Sequence, residues 1–109
     1  MAFSNEVVLD GNKKFKENEV RVSKIYNLWA SNSLYGDFSL HALSEESASI
    51  LVETSNHPEL LGWVPVITIN LNPNEVYFDR LDLKPCKFIR FTTTNGSAEN
   101  KITAVACFV

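Results

Sequence analysis

Two runs rich in β-branched and aromatic residues, Cys86 to Thr94 and Lys101 to Val109, flank an Asn95-Gly96 turn signal. Such a pattern predicts a β-hairpin. Alternation along a strand sends Ile89 and Phe91 to one face and Phe88 and Arg90 to the other. Both runs read as apolar on both faces, so the hairpin needs a sheet beside it and a second layer over it. The expected fold is therefore all-β: an antiparallel β-sandwich, jelly-roll or immunoglobulin-like, of about eight strands.

The rest of the chain supplies strands at suitable spacing. Glu6 to Leu9 is a short strand stopped by Asp10-Gly11-Asn12, and Lys13 to Glu19 is too polar to enter a core. Residues 1–19 are thus expected to form an N-terminal arm or short edge strand, and residues 20–109 a single sandwich domain. Val20 to Trp29 reads as an irregular strand. Asp37 to Leu43 and Ala48 to Thr54 alternate cleanly about Ser44-Glu45-Glu46-Ser47, which predicts a second hairpin. Ser55 to Gly62 reads as a polar loop in which Asn-His-Pro favours a turn over any helix. Trp63 shares parity with Ile67, Ile69 and Leu71, which predicts a long strand with Trp63 inward. Val76 and Phe78 share a face, and a bulge is expected to return Leu81 and Leu83 to the core. The core expected from these patterns is Phe38, Leu40, Ile50, Val52, Ile67, Ile69, Ile89, Phe91 and Ile102.

Charge placement excludes one class of partner. No Lys or Arg occurs between Ile25 and Asp79, whereas Asp37, Glu45, Glu46, Glu53, Glu59, Glu75 and Asp79 do. An acidic middle is a poor polyphosphate surface, so nucleic acid is not an expected partner. The first residues lack a basic and apolar leader pattern, and no apolar run is long enough to span a bilayer. No signal peptide and no membrane association are expected, and the chain reads as made in a cytoplasm.

Catalytic patterns are missing from the sequence. There is no Gly-x-Ser-x-Gly, no His-Glu-x-x-His and no glycine-rich phosphate loop. His41 and His57 lack metal-ligand spacing with Cys86 and Cys107, so no metal, cofactor or enzymatic activity is expected. The hairpin would set Cys86 opposite Cys107, with reduced thiols the simpler reading and a cross-strand disulfide the other. Sugar binding would use Trp29, Tyr35, Trp63 or Tyr77 as platforms and Asp37, Glu45, Glu46 or Asp79 as oxygen donors.

From Gly36 onward the chain resembles small β-sandwich accessory proteins of tailed-phage virions. The resemblance rests on Asp37-Phe38-Ser39-Leu40, on Ile50 to Asn56 followed by Trp63, on Cys86-Lys87-Phe88-Ile89-Arg90-Phe91, and on Thr103-Ala104-Val105. The segment before Trp63 departs from it, with Asn-His-Pro-Glu-Leu-Leu-Gly replacing a short Asp-Gly-type turn. A looser similarity links the late strand to galactose-binding, discoidin-like jelly rolls. The first resemblance implies a structural virion protein of the capsid decoration or cement type, bound to the major capsid protein or other virion proteins. The alternative is a carbohydrate- or receptor-binding module of a tail fibre or other tail component. A homo-oligomer is expected, with a trimer as the implied state. Candidate interface residues are Val7, Leu9 and Phe15 in the N-terminal segment, with Trp29 and Tyr35 beside the following loop.

Overall fold

Alternating burial along eight-residue strands determines how the chain layers. In Asp37–Ser44, Phe38, Leu40, Ala42 and Ser44 are buried, while Ser39, His41 and Leu43 face outward. A strand with one buried face must pack that face on a second sheet. The computed structural model describes residues 4–28, 37–82 and 86–108. In chain order the elements are β1 (Ser4–Leu9), β2 (Val20–Val22), β3 (Tyr26–Asn27), β4 (Asp37–Ser44), β5 (Ala48–Ser55), α1 (Pro58–Leu61), β6 (Val64–Leu71), β7 (Tyr77–Asp82), β8 (Phe88–Asn95) and β9 (Ile102–Phe108).

Two antiparallel sheets result. One runs β1-β9-β4-β7, and the other runs β2-β8-β5-β6 with β3 also on β8. β2 pairs with Thr92 to Thr94 and β3 with Phe88 and Ile89, so they share one strand position along the same edge of β8. Nine segments thus fill eight positions. Of the connections, only those joining β2 to β3 and β5 to β6 stay within one sheet; the others cross between sheets. That winding is a jelly roll.

Both expected hairpins are corrected by this topology. β8 and β9 lie in different sheets, and so do β4 and β5. Sequence adjacency with a turn between does not distinguish a hairpin from an arch that steps from one layer to the other. At the β8 to β9 arch the reason is visible. Asn95 and Asn100 point inward and are buried, so the turn signal is spent on a polar clasp. Asn95 Nδ2 donates to the carbonyls of Lys16 and Ala98, each at 2.8 Å, and Asn100 Nδ2 donates to Asn95 Oδ1 at 2.9 Å. Asn100 Oδ1 accepts from the Glu46 backbone N–H at 2.9 Å, and Ser44 Oγ bonds the Glu46 carbonyl. A Cβ on Gly96 would fall 2.9 Å from the Ser47 carbonyl oxygen, so glycine is needed for close approach to the neighbouring arch. Each run is also buried on one face only, as a sandwich strand requires.

Four aromatic rings join the layers. Tyr26 and Phe91 come from one sheet, Phe38 and Phe108 from the other, with centroid separations of 5.2 to 5.8 Å. Around them lie Leu40, Ile50, Val52, Ile69, Ile89 and Ile102, all buried. Ile67 is the exception among the expected core residues. Its parity is correct, but β6 is an edge strand and leaves it 39% exposed.

Local differences have equally specific causes. The Lys13 to Glu19 stretch is not excluded from the core, because Phe15 is fully buried with the Arg21 guanidinium 3.9 Å from its ring centroid. Arg21 also donates to the carbonyls of Lys13 and Lys14, and Phe15 bridges Asn100 through both backbone groups. Ser55 to Gly62 contains the one-turn helix α1, with Pro58 in its first turn and His57 Nδ1 accepting from Leu60 N. Leu81 reaches the core without a bulge, since the β4 and β7 register is unbroken, and Leu83 lies outside the described residues.

Two stability measurements follow from this packing. Phe15→Ala is expected to cost about 3–5 kcal/mol in chemical denaturation, the range for a buried phenylalanine; a loss under about 1 kcal/mol would place the segment outside the core. Thr93 Oγ1 is buried without a hydrogen-bond partner among the described residues. Thr93→Val should therefore leave stability unchanged or raise it by about 1 kcal/mol, because it removes an unsatisfied hydroxyl at constant shape.

Candidate interaction surface

The candidate interface residues separate into three groups. Leu9 and Phe15 are buried in the chain's own core, so neither side chain presents a surface to a partner. Trp29 and Tyr35 lie outside the described residues. Val7 is 62% exposed on the outer face of β1.

Register places Val7 at one end of a row that crosses the four-stranded sheet. Val7 pairs with Val105, Val105 with His41, and His41 with Phe78. Side chains at paired positions share a face, so these four lie side by side on the outside of the sheet, about 14 Å from end to end at ordinary strand spacing. Phe78 is 67% exposed, and its ring contacts that of His41 at 5.1 Å. Leu43, 45% exposed, extends the apolar surface along β4. The neighbouring row is polar, with Asn5, Cys107, Ser39 and Arg80 in register. Arg80 there makes a two-pronged pair with Asp37, at 2.8 and 2.6 Å. Periodicity could have found this face had β4 been known to lie between β9 and β7. Read as a hairpin with β5, it gave no such row.

The outer face of the five-stranded sheet has a different chemistry. Glu53 and Arg90 are paired across β5 and β8. Arg90 Nε donates to Glu53 Oε1 at 3.1 Å and Thr92 Oγ1 donates to the same oxygen at 2.6 Å. The Arg90 guanidinium also lies 4.5 Å from the Trp63 ring centroid, a cation–π stack. Trp63 was expected inward with Ile67. A bulge opposite Val52 and Glu53 inserts Val66 and reverses parity, so Pro65 opposes Glu53 and Trp63 joins the outer face.

His57 caps α1, and His41 packs on Phe78. Among the described residues no group of three or more His, Cys, Asp or Glu could hold a metal ion. Cys86 and Cys107 are both free; Cys86 precedes β8 and Cys107 lies on β9, strands of different sheets, so the cross-strand pairing does not occur. Burial pushes the Cys86 thiol up. A cleft of about 550 Å³ between the start of β6 and the end of β7 is lined by Thr54, Leu61, Val64, Val66, Asp82 and Cys86 among others.

The Glu53 carboxyl supplies a pH test of the platform. Burial pushes it up, but the hydrogen bonds from Thr92 and Arg90 and the Arg90 charge outweigh burial and leave it below the ordinary 4.5. A carboxylate lowered by folding adds stability above its unfolded value, and that stability is lost as pH falls through the lowered folded value. The stability difference between the protein and Glu53→Gln should be steady at neutral pH and shrink below pH 4.5 in urea denaturation. A difference independent of pH would mean that the carboxylate is solvated and unpaired.

No protein-family model matches the chain, and no curated protein matches it in sequence. Solved structures do match it. The PBSX exported protein XepA superposes with a TM-score of 0.78 at 14% identity, over 96% of this chain and 36% of that one. PirA gives 0.53 at 12% identity, over 97% and 91%. A variant of CBM29-2, a family 29 carbohydrate-binding module, gives 0.50 at 17% identity, again over 97% and 91%. The chain spans about a third of the length of XepA. At identities this low the superpositions show a likeness of fold alone.

Proposed function

We propose that the chain is a non-catalytic structural module of a phage particle, of the capsid decoration or cement type. It attaches to the major capsid protein or another virion protein through the outer face of the four-stranded sheet. The observation that carries this reading is the exposed row of Val7, Val105, His41 and Phe78, with Leu43 beside it. A large aromatic ring left 67% exposed on the outer face of a sheet gains most from a covering partner. Support for a particle comes from the motif order after Gly36 and, in fold, from the likeness to the PBSX exported protein XepA.

One observation favours a second reading. Trp63, stacked under Arg90 and beside Glu53, is an aromatic platform with hydrogen-bonding groups at its rim, and the fold is shared with a carbohydrate-binding module. In that reading the chain is a glycan-binding module of a tail component.

The two separate cleanly. Mass spectrometry of purified particles from the source should find the chain at high copy number, and Phe78→Asp combined with Val7→Asp should abolish particle attachment with the β circular dichroism spectrum intact. Absence from particles would remove the structural reading. Saturable glycan binding, lost in Trp63→Ala, would replace it with the second.

A further inference from the structure

The inference concerns copies of this chain alone and does not depend on the particle reading. Both ends of the five-stranded sheet are open among the described residues, with β6 at one edge and β2 with β3 at the other. An open edge presents unpaired backbone N–H and C=O groups, and soluble proteins guard such edges with lysine, proline, bulges or short strands. On β6 these devices sit at the beginning, where Pro65 and the bulge lie. From Ile67 to Leu71 there is neither proline nor a charged residue. Val64, Val66 and Ile67 on this strand are 59%, 46% and 39% exposed, and Leu60 and Leu61 in α1 are more so. At the opposite edge Val20, Val22 and Ile25 are each more than half exposed.

Charge distinguishes the two edges. The chain leading into and along β2, from Lys13 to Lys24, holds five bases, Lys13, Lys14, Lys16, Arg21 and Lys24, against Glu17 and Glu19. The chain flanking β6, from Thr54 to Asp79, holds Glu59, Glu75 and Asp79 and no Lys or Arg. Arg21 is held by Glu19, and Lys14 and Lys24 reach Glu99 and Glu6 at 3.6 and 3.3 Å as exposed pairs, so five bases against the four acids Glu6, Glu17, Glu19 and Glu99 leave the edge net basic. Two β6 edges brought together would set acid against acid, whereas β6 against β2 sets acid against base. Strand direction agrees. The sheet has four positions, every pairing in it is antiparallel, and an even count makes its two edge strands run oppositely. A second copy continuing the sheet in the same orientation therefore meets β6 with β2 as an antiparallel pair.

We infer that the chain self-associates head to tail, the β6 edge of one copy pairing with the β2 and β3 edge of the next, so that the five-stranded sheet runs on from subunit to subunit. The contact is heterologous, with a different surface on each side, and it closes into a ring or extends as a filament according to the rotation per copy. Main-chain hydrogen bonds supply the register, and the opposed charges select which edges meet.

The test uses two variants whose charges oppose their neighbours. Ile67→Lys places a cation on the edge that meets the basic one, and Val22→Glu places an anion on the edge that meets the acidic one. Light scattering coupled to size exclusion should show multiples of the chain mass for the wild type, weakening as salt rises from about 0.05 to about 0.5 M. Each variant alone should be monomeric with an unchanged β spectrum. Mixed in equal amounts they should associate again in one-to-one proportion, because the first keeps a competent β2 edge, the second a competent β6 edge, and the two substituted edges carry opposite charges. Should Ile67→Lys lose its fold, Val66→Lys at the bulge serves in its place. A wild type that stays monomeric at every concentration overturns the inference. So does a mass lowered by Ile67→Lys but untouched by Val22→Glu, which would mean a two-fold β6 contact, and so does a mixture that stays monomeric.

Discussion

The ring cluster of Tyr26, Phe38, Phe91 and Phe108 is what makes two sheets into one body. No strand of one sheet pairs with a strand of the other among the described residues, so away from the connecting loops the layers meet through side chains. Two of the four ring contacts, Tyr26 on Phe108 and Phe38 on Phe91, cross between the sheets, and all four meet edge-on or tilted at 5.2 to 5.8 Å, an arrangement that adds to their area burial. Each ring also fixes its own strand. Tyr26 is opposite Ile89 on β8, and Phe38 lies between Leu81 and Phe108. Strand order and inter-sheet packing are therefore set by the same residues. Moving any of these strands by one residue would turn its ring to solvent.

One end of the sandwich is closed by polar chemistry. Asn95, Asn100 and Ser44 are buried and satisfied by one another and by the carbonyls of Lys16, Glu46 and Ala98. The clasp ties together the β1 to β2 connection and the arches after β4 and β8. A buried amide with its donors and acceptors matched stabilises one arrangement of these loops, because any other leaves a polar group without a partner. Phe15 depends on this closure. Its backbone bridges Asn100, and its ring is covered by Arg21, whose guanidinium is held by Glu19 and two loop carbonyls.

Which of these features a linear reading reaches depends on the range of the interaction. Alternation is local, so the inward sets Phe38 and Leu40, Ile50 and Val52, and Ile89 and Phe91 were legible without knowing any partner strand. Pairing is not local. The two turn signals were read as hairpins because a hairpin and an arch have the same local composition, and only the buried Asn95 and Asn100, contacting loops about 50 to 80 residues distant, distinguish them. The bulge that turns Trp63 outward leaves no mark in parity, since the inserted Val66 is as good a strand residue as its neighbours. Phe15 was hidden by the charges around it, and its burial depends on Arg21 lying across the ring instead of in water. Of the surface, Val7 was visible as a candidate, but the row it belongs to exists only once β9 and β4 are placed beside β1.

The two outer faces differ in how much they have left to offer a partner. On the five-stranded sheet Glu53 already accepts from Arg90 and Thr92, and Arg90 already stacks on Trp63. A sugar bound there must either leave that network intact and use only the free ring surface, or break charge-assisted bonds that are costly to replace. On the four-stranded sheet less has to be given up. Covering Val7, Leu43 and Phe78 removes apolar area from water without breaking a hydrogen bond, and the His41 ring contributes a flat surface to the same cover. Association through that face costs mainly the freedom of the two bodies, and in the proposed particle role many identical sites would offset that cost by multivalency once copies are linked to each other. The balance of these costs ranks a protein partner on the apolar row above a glycan on the tryptophan platform.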